Sequence, residues 1–132
     1  MGSSVRVDNW SEIIDEELEK ARFKTFKYGE FDCCLFVADI VEKMTGIDHA
    51  KAFRGQYKSK SKAMKLINND IRSTLNDILG RESNTLESVR GDVLLLKNKQ
   101  LAIHTGVFAV TTSDKGIRYT PAYEAVASWS IN

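Results

Sequence analysis

"GEFDCCLFVAD", residues 29–39, sets a glycine, two carboxylates and two adjacent cysteines directly ahead of an apolar run. Asp32 stands where a helix N-cap belongs, so Cys33 takes the first helical position. Free backbone N–H groups and the positive end of the helix dipole favour a thiolate there. The run through Met44 is apolar on most sides, and Thr45-Gly46 is a stop signal. The stretch therefore predicts a buried central helix with a thiol at its N-terminus. Cys34, one step further in, is expected to face the core as free cysteines often do.

Working outward, "DNWSEIIDEELEKAR" carries Trp10, Ile13, Ile14, Leu18 and Ala21 at helical spacing, with Asp8 or Asn9 available as N-cap. "SKSKAMKLINNDIRSTLNDILG" reads as one or two surface helices ended by Gly80, with Ala63, Met64, Ile67, Ile71, Leu75, Ile78 and Leu79 apolar. After residue 90 the period changes. "GDVLLLK", "LAIHTGVFAV", "GIRYT" and "AVASWSI" are short, rich in β-branched residues, and parted by the turn signals "KNKQ" and "TTSDKG". Helices first and an antiparallel meander afterwards is an α+β order.

With 132 residues, 42% of them hydrophobic, the chain suffices for a single domain, 1–132, with its own core. The first seven residues are expected to stand apart from it. With 19 basic and 18 acidic residues the net charge is +1, which argues against nucleic acid and against an anionic membrane surface as partners. No apolar stretch approaches the roughly 20 residues of a membrane span, and the N-terminus lacks the apolar region of a signal peptide. The expectation is a protein without an integral membrane segment, cytoplasmic when made.

A nucleophilic cysteine needs a base, and the only histidines are His49 and His104. Read as one strand, "LAIHTGVFAV" sets Leu101, Ile103, Thr105, Val107 and Ala109 on one face and His104, Gly106 and Phe108 on the other. His104 has room beside Gly106 for a neighbour. His49, just past the central helix, reads as an exposed loop residue.

These residues resemble the NlpC-type cell-wall cysteine endopeptidases of the papain-like fold. "FKYGEFDCCLFV" is similar to that family's nucleophile motif through Phe26, Tyr28, Gly29, Asp32, Cys33 and the Leu35–Val37 run. "RGDVLLL" is similar to its first strand and "HTGVF" to the strand that carries its histidine. The resemblance runs from residue 26 to about residue 110. It is closer still to a small phage-encoded branch, through "TGIDHA", "FRGQY" and "ASWSI".

The resemblance implies a papain-like α+β domain whose nucleophile helix packs on a C-terminal antiparallel sheet. Cys33 is then the nucleophile, His104 the general base, and helix N-terminal N–H groups the oxyanion hole. The implied reaction is hydrolysis of an amide bond in a peptidoglycan stem peptide, with no cofactor and no metal. The sequence also departs from the pattern. Cys34 and Leu35 replace a Ser-Gly pair, and Phe26 stands where a tyrosine hydroxyl often assists the oxyanion hole. No third, histidine-orienting residue stands out among Thr111, Thr112, Tyr119 and Thr120. The alternative is a weakly active or inactive structural or interaction module of a phage tail or virion, with other tail proteins as partners.

Three further patterns have plainer readings. A zinc site from Cys33, Cys34, His49 and His104 is disfavoured because adjacent cysteines lack the spacing that lets two thiolates reach one ion. The basic run Lys51, Arg54, Lys58, Lys60, Lys62 and Lys65 reads as a solvated loop and helix start. "RGD" at Arg90–Asp92 is expected to be a tight turn into a strand.

Overall fold

The computed structural model describes residues 6–131. Four helices come first, α1 (Trp10–Ala21), α2 (Cys33–Thr45), α3 (Lys60–Leu66) and α4 (Ile71–Leu79). Five strands follow, β1 (Val93–Leu96), β2 (Leu101–His104), β3 (Phe108–Ser113), β4 (Gly116–Pro121) and β5 (Ala125–Trp129). They form one antiparallel sheet in the order β4-β3-β2-β1-β5, a meander closed by β5 returning to the outer side of β1. The architecture is α+β, as the element order predicts.

Helix α2 is the spine. The Asp32 carboxylate accepts from Leu35 N at 2.9 Å, and Gly46 ends the helix in the left-handed region at φ 83. Seven side chains of α2, from Leu35 to Met44, are buried. Phe36, Ile40 and Met44 share a core with Ile14 of α1 and with Val93, Leu95, Leu101, Ile103, Val110 and Trp129 of the sheet. Trp129 is fully buried, and its indole N–H donates to Asn76 Oδ1 at 3.0 Å, tying β5 to α4. Helix α1 starts after Asn9 without a side-chain cap bond. Both α3 and α4 lie at the surface, with Leu75 their one buried residue.

The start of the described chain is bound into the fold. Val7 N donates to Met44 O at 2.7 Å, and Arg6 donates to the Ile131 carbonyl and lies 4.1 Å over the Trp10 ring. Arg6 and Val7 are thus part of the domain. Residues 1–5, the rest of the segment expected to stand apart, lie outside the described residues.

"LAIHTGVFAV" is two strands. The chain reverses at Thr105–Val107, where Thr105 N donates to Phe108 O at 2.8 Å and Gly106 takes φ 115. Ile103 then pairs with Val110, and His104 with Ala109. The physical reason is the glycine: a positive φ lets β2 fold back on β3, which a continuous strand would not need.

The reversal moves Ala109 off the face expected for it, the one that carries Leu101 and Ile103, and leaves the faces of β2 as alternation sets them. Leu101 and Ile103 join the core under α2, while Ala102 joins a second cluster with Leu94, Leu96 and Ala109 on the opposite face. His104, paired with Ala109 and two residues from Ala102, lies on that opposite face.

Candidate functional site

The capping residue of α2 organises the site. Asp32 is buried and takes three hydrogen bonds, from Leu35 N at 2.9 Å, Gly29 N at 3.0 Å and the Tyr57 hydroxyl at 2.5 Å. Gly29 must be glycine: its φ is 84, and a Cβ there would sit 2.1 Å from the Tyr57 carbonyl oxygen. Lys27 and Phe31 bridge as antiparallel partners, closing a tight turn that delivers the chain to the cap.

Cys33 opens the helix, partly buried and unoxidised, as is Cys34. Its thiol is held below the ordinary range. The largest cause is the Cys34 thiol, which donates to it. Burial opposes this, the Leu101 backbone N–H adds to it, and the Asp32 charge opposes it. Cys34 is pushed well above its ordinary value, by donating to Cys33 and then by burial. The two neighbours are thus divided into a thiolate-prone sulfur and an inert donor.

A cavity of about 320 Å³ lies against both cysteines. Most of its wall is apolar, from Val37, Val41, Met64, Ile67, Leu75 and Leu79. Polar groups line it as well, among them Tyr28, Gln100, Thr112 and Asp114. Tyr28 stacks edge-on against Phe26 at 5.0 Å, and burial, then the Cys33 charge, then the Asp114 charge raise its hydroxyl pKa. Tyr28 thus brings a protonated hydroxyl to the neighbourhood of the thiol. In the sequence it was legible only as one aromatic of a motif.

His104 does not line this cavity. It is buried on the far face of the sheet, its Nδ1 accepting from Gly106 N at 2.9 Å. That bond requires an unprotonated Nδ1, and burial holds the imidazole pKa below its ordinary value, against the pull of Asp92. The structure does not bring Cys33 and His104 together, because α2 packs on the face of β2 that carries Leu101 and Ile103, and strand alternation turns His104 to the other. His49, read as an exposed loop residue, is half-buried and lines the same cavity as Cys33.

The remaining candidates disperse. Thr111 donates to Leu101 O at 2.6 Å, Thr112 lines the Cys33 cavity, Tyr119 packs edge-on against Phe108, and Thr120 pairs with Ala109. Among the described residues no group of three or more His, Cys, Asp or Glu side chains comes together to hold a metal ion. None of the described helices is long and apolar enough to cross a membrane.

No curated protein matches the chain. A family profile does, and it takes in every element of the site described above. It matches residues 5–131, and the chain accordingly belongs to the DUF6950 family, described as a domain of unknown function.

Proposed function

We propose that this domain is a ligand-binding module on a papain-like scaffold, which takes an apolar group into the cavity beside α2 and presents the Cys33 thiol to it. A thiol on the first turn of a central helix packed against an antiparallel sheet supports the papain-like assignment. The observation that carries the reading is the separation of Cys33 from His104 by the sheet, which leaves the thiol without the base a Cys33–His104 hydrolase requires. What stays around the thiol is an apolar cavity of about 320 Å³, within the range of small-ligand sites.

Two measurements test this. Alkylation of Cys33 by N-octylmaleimide is expected to outrun N-ethylmaleimide by about tenfold or more, since each added methylene gains up to about 0.8 kcal/mol when buried. Ala63→Leu, which fills the cavity from α3, should erase that advantage. Equal rates for the two reagents would remove the apolar-ligand reading. Incubation with purified peptidoglycan is expected to release no fragments. Release that is lost in both Cys33→Ser and His104→Ala would restore the endopeptidase reading with its stem-peptide substrate. Release lost in His49→Ala but kept in His104→Ala would instead assign the base to His49, which shares the cavity.

A further inference from the structure

The segment "FRGQY", residues 53–57, lies far from Cys33 in sequence and against its helix in space. Arg54 grips Asp39 of α2 at 2.8 Å and Asp48 at 2.8 Å, fixing the loop to the side of the helix. Gly55 N donates to Gly29 O at 2.8 Å, and the Tyr57 carbonyl stands where a Gly29 side chain would be. From this platform the buried Tyr57 hydroxyl reaches Asp32 Oδ2 at 2.5 Å.

We propose that Tyr57 is the positioning residue of the Cys33 site: through Asp32 it holds the first turn of α2 and draws off negative charge that the thiolate would otherwise face. Asp32 occupies the cap adjoining Cys33, and its charge disfavours the thiolate. A hydroxyl donated to that carboxylate at short range disperses the charge, as a charge-assisted bond does. The Arg54 clamp supplies the rigidity, since a tyrosine on a loose loop would not hold so short a bond.

Other groups surround the thiol and its cavity, which His49 lines from the loop after α2 and Lys60 from the start of α3. Asp32 and Cys34 face it from its own helix end, Tyr28 from the preceding turn, and the Leu101 backbone from β2. Asp114 acts on Tyr28 from the β3–β4 turn, and Lys99 lines the cavity from the β1–β2 turn. Of the side chains near the thiol, Tyr57 is the one that donates to the Asp32 carboxylate.

The inference rests on Cys33 being the reactive thiol of the proposed site, and not on the nature of the ligand. Its test therefore uses iodoacetamide alone, with rates of Cys33 alkylation followed against pH by mass spectrometry. Tyr57→Phe keeps the ring and removes the donor. It is expected to move the midpoint up by as much as about one unit, slowing alkylation at neutral pH up to about tenfold. Asp32→Asn keeps an N-cap and removes the charge, and should move the midpoint down. In the double variant Tyr57→Phe should add nothing to Asp32→Asn. An unchanged midpoint in a folded Tyr57→Phe protein would overturn the proposal. Should that variant not fold, an Asp32→Asn midpoint that stays or rises would overturn it equally. A failed chain-length test with maleimides would leave these results standing, so the two failures are distinguishable.

Discussion

Two titratable side chains behave as their surroundings dictate, and each is measurable. His104 is buried and neutral, its Nδ1 already accepting from Gly106 N. Its folded pKa lies below the ordinary 6.5, so the unfolded chain takes up the proton first. Stability is therefore full above about pH 6.5 and falls as the pH drops through that value toward the folded pKa. Urea unfolding at pH 7.5 and 5.5 should show this loss, and His104→Gln, which keeps an acceptor for Gly106 N, should show less of it. At the cysteine pair, Cys33 should label well before Cys34 at neutral pH. Because the Cys34 thiol is the largest cause of Cys33 acidity, Cys34→Ala should slow Cys33 alkylation and shift its pH profile upward. Faster labelling of Cys34 would reverse the assignment of roles.

At the scale of elements, two glycine turns place the candidate residues, and they differ in what surrounds them. Gly106 turns β2 into β3 at φ 115, and a Cβ there meets only Arg90 Cβ at 3.9 Å. Gly106→Ala should cost only the conformational penalty, about 1–2 kcal/mol. Gly29 combines φ 84 with a backbone oxygen 2.1 Å from the added atom, so the 48–57 loop must move. Gly29→Ala should cost about 3 kcal/mol or more and disturb Cys33 labelling, whereas Gly106→Ala should leave labelling unchanged. Chemical denaturation and alkylation of the two variants side by side would check both statements. The helix N-cap, the helix stop and the order of elements are legible in the sequence. The turn at Gly106 is not, because "LAIHTGVFAV" satisfies strand propensity on both sides of it.

Over the whole molecule, the two ends of the described chain meet at β1. Arg6 forms an ion pair with Asp92 at 3.6 Å, both side chains buried, and also donates to the Ile131 carbonyl. Asp92 accepts from Val89 N at 2.9 Å and through its own carbonyl from His104 N at 3.0 Å, so β1, β2 and both chain ends share this knot. Asp92→Ala removes this ion pair and the acceptor of Val89 N, and should cost about 1–3 kcal/mol. Trp129→Ala, which empties the centre of the core and leaves Asn76 without the indole, should cost more, about 3–5 kcal/mol. Thermal unfolding of both variants reads these losses. The Arg90–Asp92 tripeptide belongs to the same knot: Arg90 donates to Ser11 O at 2.7 Å and Thr105 O at 2.6 Å, a structural anchor between α1 and the β2–β3 turn.

Local chemistry made much of this protein legible in its sequence. Asp32 as cap, Cys33 as first helical residue, Gly46 as stop and the change of period after residue 90 all depend on neighbours within a few positions. Such short-range rules hold before the chain is folded. The site depended on long-range packing. Tyr57 meets Asp32 across 25 residues, a contact no local pattern encodes. Alternation within β2 sets His104 opposite Leu101 and Ile103, and which of those two faces α2 and Cys33 cover was decided by how the helix packs on the sheet. A sequence supplies the groups and their intrinsic preferences, but only the packed sheet decides which of them share a side.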